Sequence, residues 1–209
     1  MWSDRSRFIV LEGLDGAGTT TQTAKLEEYF TKLKRDSFAT REPTDGPIGK
    51  LLRDVLTGRL MRYRLAEREM ALLFAADRLK HSRLVESKLL TSSHVVCDRY
   101  IFSSMAYQTL DPSISAEWVT QINAGFAKPN ITLFLRVPVD ECLRRIAERN
   151  ESPTVYEKKD FLETVARNYE TLSPYYREHV GPLVVVDGTL PENEVHAEII
   201  RTLESHLDD

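Results

Sequence analysis

FIVLEGLDGAGTTTQ, residues 8–22, is the stretch on which the fold turns. Residues 8–11 are four apolar side chains in a row, the pattern of a short buried strand, and Gly13, Gly16 and Gly18 then permit a tight turn. Helical periodicity follows over residues 19–30. Strand, glycine turn and helix together make a phosphate cradle. Backbone N–H groups in such a turn point inward, and the helix N-terminus adds roughly half a positive charge, so anionic oxygens are held without contact to a base or sugar. The spacing Gly13-x4-Gly18-x-Thr20 fits the Walker A pattern except at position 19, where Thr stands in place of Lys. Lys there is a mobile point charge that follows the transferring phosphates; a Thr hydroxyl offers one neutral hydrogen bond. Thr20 keeps the hydroxyl that the pattern aims at a magnesium ion. A merely structural glycine turn is the competing reading, and the strand-then-helix context favours phosphate.

Composition narrows what surrounds the cradle. At 209 residues and 42% hydrophobic content, the expectation is one compact domain over residues 1–209, with a mobile lid at approximately 145–159. A net charge of -4 argues against a nucleic acid polymer as partner and leaves room for a small phosphorylated ligand, which needs only a few local cations. Cys97 and Cys142 sit in apolar runs without the spacing of a metal site or disulfide framework. No apolar run approaches the roughly 20 residues of a membrane span, and the N-terminus lacks a signal-peptide core. These features predict a soluble, cytoplasmic protein with reduced thiols and no membrane partner.

Beyond the first helix, strands are expected at residues 37–40, 94–97, 131–137 and 183–186, and helices at 48–56, 65–90, 103–110, 115–126, 139–149, 161–176 and 192–207. Residues 150–159 are polar and non-periodic, a loop. Strands alternate with helices, and several strands are continuous apolar runs, which predicts a five-stranded parallel sheet covered by helices on both faces. Ligands of such sheets bind at the carboxyl ends of the strands. One of those ends carries Asp98-Arg99-Tyr100. Asp98 suits magnesium or a proton and Arg99 can bridge two phosphates as a planar fork, with a plain strand-end salt bridge as the alternative. Phe74 and Arg78 are one helical turn apart, so one can stack on a planar base while the other donates to its edge. On their own, Phe74 reads equally as core and Arg78 as solvated.

EGLDGAG (12–18), TREP (40–43), LLFAADR (72–78), DRYIFSSMAYQ (98–108), ITLFL (131–135) and the late DG (187–188) are six blocks that, in this order and spacing, resemble thymidylate kinase over essentially the whole chain. The resemblance implies the P-loop NTPase fold and magnesium-dependent transfer of the ATP γ-phosphate to dTMP, with Mg2+ as cofactor, dTMP and ATP as substrates, and a homodimer. Carried over by position, it implies that Phe74 stacks on thymine, Arg78 donates to its carbonyl oxygen, and Ser104 and Gln108 read the polar edge. Tyr107 would crowd the 2′ position, Asp15 would accept from the 3′-hydroxyl, and Glu42, Arg53 and Arg99 would frame the acceptor phosphate. Gly13, Gly16, Ala17, Gly18, Thr19, Thr20 and Thr21 would hold ATP, with Arg145 against adenine and the 187–189 loop on its other side. Thr20 and Asp98 would hold the metal, and Arg99, Asp98 and Arg149 would act at the transferring group.

Two departures from that family stand out. Thr19 replaces Lys, and the flap RRIAERNESPTVYEKKD (144–160) matches only the first expected arginine, at Arg149, the later Asp-Arg pair falling on Thr154 and Val155. Removing one electrostatic stabiliser of a transition state typically costs about 10²–10³ in rate. Two outcomes follow: Arg149, Lys158 or Lys159 supplies charge from another backbone position, or turnover falls and a nucleotide-binding protein remains. A kinase for another nucleoside monophosphate is a further alternative.

Overall fold

The computed structural model describes residues 6–60, 65–91, 93–148 and 158–207. Five strands run in parallel: β1 (Phe8–Gly13), β2 (Ser37–Arg41), β3 (His94–Asp98), β4 (Ile131–Arg136) and β5 (Leu183–Asp187), in the spatial order β2-β3-β1-β4-β5. The helices are α1 (Thr19–Lys32), α2 (Pro47–Leu56), α3 (Glu67–Leu90), α4 (Ile101–Gln108), α5 (Ala116–Ile122), α6 (Val139–Ala147), α7 (Lys159–His179) and α8 (Glu192–Leu207). β1 and β3 are buried along their whole length, which is why residues 8–11 and 95–97 within them read as apolar runs, whereas the edge strands β2 and β5 are partly exposed.

Register brings the chemistry to one edge. Leu11 and Arg41 both pair with Asp98, Gly13 with Leu135, and Arg136 with Asp187. Every strand therefore delivers its C-terminal residue to the same rim. The chain order reverses at β1, which is bonded to β3 on one side and β4 on the other, and the crevice at such a switch point is where ligands of this architecture bind.

The element boundaries differ from the expectation in instructive places. α4 begins at Ile101, two residues early, because a carboxylate from β1 takes its first N–H groups, as described below. α5 ends at Ile122 because the chain turns left-handed at Gly125, with φ of 84°. α7 continues through Pro174 to His179; the proline is exposed, so the carbonyl it leaves without a partner can face water. α6 is helical to Ala147; of the loop expected at 150–159, residues 150–157 lie outside the described residues, as does Arg149, while Lys159 already opens α7. Among the described residues no helix is long and apolar enough to cross a membrane.

Candidate active site

The cradle is built from backbone. Gly18 is the N-cap of α1 with φ of 97°, and Gly16 has φ of 86°. A Cβ at Gly16 would lie 2.5 Å from the Cys142 carbonyl oxygen of α6, so the turn both bends left-handed and presses on a neighbouring helix. The first turn of α1 carries no acidic residue of its own to offset its N-terminal field. Thr19 is buried, and its methyl lies 3.4 Å from where a Cβ on Gly13 would sit. The residue in the Walker Lys position thus packs against the strand end.

Thr20 Oγ1 donates to Asp98 Oδ2 at 2.5 Å. The second Asp98 oxygen, Oδ1, is buried and has no hydrogen-bond partner among the described residues. Both residues line a cleft of about 710 Å3 between α1, β2 and α3, also lined by Thr40, Thr44 and His81. Arg145 bridges the cradle to the loop after β5: Nε donates to Glu141 at 2.7 Å, one Nη to the Ala17 carbonyl at 3.4 Å, and the other to the Gly188 carbonyl at 3.0 Å. Asp187 closes that loop by accepting from the Thr189 hydroxyl and N–H, and these bonds hold its carboxyl below the usual range.

Arg99 stands between cradle and pocket. Its backbone is left-handed, φ 69°, rare for a residue with a long side chain. The guanidinium donates to the Gly13 carbonyl at 2.7 Å, Ser103 Oγ at 3.2 Å and Asp15 Oδ1 at 2.6 Å, and lies 5.8 Å from the Tyr107 ring centre. Burial opposes the cation, but Asp15 and the negative potential of Tyr107, Tyr169 and Asp98 outweigh it and raise its pKa further. Tyr107 is raised too, first by burial and then by Asp15.

The pocket side is built from side chains, and α3 organises it. Phe74, Asp77, Arg78 and His81 recur at turn spacing on this helix. Asp77 accepts from the Thr44 N–H at 2.7 Å and from its hydroxyl at 2.6 Å, fixing the loop between β2 and α2. Arg78 is 1% exposed: Nε meets Glu42 Oε2 at 2.7 Å, and its Nη atoms reach Asn123 Oδ1 at 2.6 Å, Ser104 Oγ at 3.0 Å and the Tyr100 carbonyl at 3.3 Å. His81 Nδ1 bonds the other Glu42 oxygen at 2.9 Å, and its Nε2 bonds Thr40 Oγ1 at 2.8 Å.

Of the residues expected from sequence, Thr20 and Asp98 come together, as do Arg99 and Asp15, and Arg78 with Ser104 and Glu42. Glu42 lies behind Arg78 as the shared partner of Arg78 and His81. Arg53 donates to the Pro43 carbonyl at 2.7 Å and pairs with Asp45 at 3.0 Å. Phe74 is half-buried, Gln108 is buried with Oε1 lacking a partner among the described residues, and Thr21 is exposed on α1. Lys159 pairs with Asp140 at 2.6 Å on the outside of α6. Sequence reasoning missed Glu12, Asp77, His81 and Asn123. Asp77 and His81 share the Phe74/Arg78 helical face, a spacing that points to them; Glu12 and Asn123 act across distant elements and carry no local signal.

The family model for thymidylate kinase matches residues 11–199. The chain is 37% identical over 199 residues to the "Probable thymidylate kinase" of Methanocaldococcus jannaschii, covering 95% of this chain and 96% of that protein. It is 36% identical over 206 residues to the "Probable thymidylate kinase" of Pyrococcus abyssi, covering 97% and 98%.

Proposed function

This chain belongs to the thymidylate kinase family, and we propose that its ATP site is the backbone cradle and its dTMP site the α3–α4 pocket, meeting at Arg99. The protein is a dTMP kinase: a dTMP phosphate oxygen bonds the γ-phosphorus of ATP, the β–γ bridging bond breaks, and dTDP and ADP result. The observation that carries the site assignment is Arg99, whose guanidinium is bonded to the cradle at Gly13 and Asp15 while lying against Tyr107 of the pocket helix. Phosphoryl transfer depends on positioning and charge, and a planar fork at that junction meets both reactants.

Thymine stacks on Phe74, with Arg78 and Ser104 at its carbonyl edge; Gln108 Oε1, without a partner among the described residues, suits the N3–H donor. Tyr107 crowds the 2′ position, Asp15 takes the 3′-hydroxyl, Arg53 and Arg99 meet the acceptor phosphate, and Glu42 acts from behind Arg78. Arg145 lies along adenine, held by Ala17 and Gly188. Magnesium fits at Thr20 and Asp98, because the second Asp98 oxygen is buried without a partner among the described residues. Thr20 and Asp98 would hold such an ion, whose chemistry would be to neutralise phosphate oxygens. The lid proposed for this single domain at approximately 145–159, from which Arg149 would add charge at the transferring group, falls mostly outside the described residues. Leu72 and Leu79, seven residues apart on α3 and 49% and 46% exposed, give a homodimer an apolar face. The two free, buried cysteines fit a reducing cytoplasm.

The decisive experiment follows dTDP formation from ATP, magnesium and dTMP by wild type and Thr19→Lys. We expect wild-type turnover that Lys leaves unchanged or lowers, because arginines already carry the charge that Lys supplies elsewhere. Binding of both nucleotides with transfer only in Thr19→Lys would overturn the kinase reading in favour of a nucleotide-binding protein.

A further inference from the structure

Glu12 is a fully buried carboxylate at the end of β1 to which the transfer scheme gives no part. Its Oε1 accepts from the backbone N–H groups of Tyr100 at 2.8 Å and Ser103 at 3.0 Å; its Oε2 accepts from Ser103 Oγ at 2.6 Å, with the Tyr169 hydroxyl 3.2 Å away. Tyr100 is the N-cap of α4, and its own side chain makes no capping bond. Glu12 therefore supplies from another strand what a capping box supplies locally, bonding the N-cap N–H and the N–H three residues on.

The cap sits beside the left-handed residue. The Arg99 N–H donates to the Leu11 carbonyl at 2.8 Å, and the next N–H in the chain, that of Tyr100, goes to Glu12. Two successive residues of β1 thus clamp the backbone on which Arg99 turns. The side chains join as well: Ser103 Oγ donates to Glu12 while receiving an Arg99 N–H at 3.2 Å. Burial raises the Glu12 carboxyl pKa, and Ser103, Arg99 and the two N–H groups only partly reverse that. A strand end that needed packing alone would be better served by an apolar side chain.

We infer that Glu12 is a positioning residue for phosphoryl transfer, holding Arg99 at the junction of the cradle and the acceptor helix α4. The inference rests on the reading of Arg99 given above. Because it acts through Arg99, its effect depends on Arg99 being present, and a plain helix cap has no such dependence.

The test is a double-mutant cycle on the full chain, measuring kcat, KM for ATP and dTMP, and Tm for wild type, Glu12→Gln, Arg99→Ala and the double variant. Gln keeps one acceptor oxygen and the side-chain shape. Glu12→Gln is expected to lower kcat about 10-fold or more with KM for ATP within about threefold, and to change kcat by less than about twofold in the Arg99→Ala background. An unchanged kcat in Glu12→Gln, or equal losses in both backgrounds, would overturn it. Should Glu12→Gln fail to fold, Ser103→Ala cuts the side-chain link and leaves both backbone caps; a loss of about threefold or more in kcat at a Tm within about 2 °C supports the inference, and no loss overturns it. A wild type that forms no dTDP defeats the functional reading instead. In that case the Arg99 guanidinium N–H resonance decides: slow hydrogen exchange in wild type and fast exchange in Glu12→Gln is expected, and identical exchange overturns the role.

Discussion

The two halves of the site are made of different material. The cradle, proposed to take the donor, is backbone: two left-handed glycines, a helix N-terminus and a packed, neutral Thr19. The α3–α4 pocket, proposed to take the acceptor, is side chain: Arg78, Glu42, His81, Asn123 and Ser104 interlock in a buried network, with Asp77 and Thr44 beside it. A backbone site tolerates a changed side chain, which accounts for a Thr where Lys is usual, but it does not tolerate an added Cβ. A side-chain network has the opposite sensitivity. Its members fix one another, so the loss of one leaves the others buried and unpaired.

The largest effect belongs to the network. Arg78→Met keeps much of the volume and removes the cation, leaving the Glu42 carboxylate buried against His81 alone. Removing one partner of a buried ion pair costs about 3–5 kcal/mol. Urea unfolding should show that loss, along with a collapse of dTMP affinity. A variant that unfolds within about 1 kcal/mol of wild type would show that the acceptor pocket is not an interlocked unit, and the contrast between the halves would fail.

A smaller loss is expected from Gly16→Ala on the donor side. The new Cβ would meet the Cys142 carbonyl oxygen at 2.5 Å while the backbone stays at φ 86°, so strain and a clash with α6 combine. We expect about 1–3 kcal/mol of destabilisation and ATP affinity lowered more than dTMP affinity. Calorimetric titration of each nucleotide checks this. Equal losses for both would show that the cradle and the pocket respond as one body.

This contrast also explains what could be read from the sequence. The cradle is local: glycines at 13, 16 and 18 between an apolar strand and a helix carry their meaning within a few residues, and the parallel sheet follows from the continuous apolar strands. The pocket is not local. Glu42 meets Arg78 across 36 residues, Arg78 meets Asn123 across 45, and Tyr169 meets Glu12 across 157. Phe74 and Arg78 were marked by helical spacing and by resemblance, but nothing near Asn123 or Glu12 announces a role, since each acquires its partners only when the helices dock. Arg53 owes its proposed role at the acceptor phosphate to the resemblance alone; its contacts here are to Pro43 and Asp45, within ten residues of it.

The smallest effect at neutral pH should come from His94, at the start of β3, the end of the sheet away from both halves of the site. Its ring stacks on Phe30 with centroids 4.4 Å apart and planes 13° from parallel. Burial, then the charges of Arg35 and Arg7, lower its pKa from 6.5 to about 4. Between those values the unfolded chain binds a proton that the folded chain refuses, so stability rises with pH across the window. The contribution is fully present above 6.5 and is lost as pH falls from there towards about 4. His94→Phe keeps a stacked ring and removes the proton. Its unfolding free energy should therefore fall less than that of wild type between pH 7.5 and 4.5, while dTDP formation at pH 7.5 stays unchanged. The same fall in both proteins would remove His94 as a source of acid sensitivity. A changed turnover would mean that the far end of β3 reaches Asp98 through the strand, and that the two halves of the site share a support the contrast leaves out.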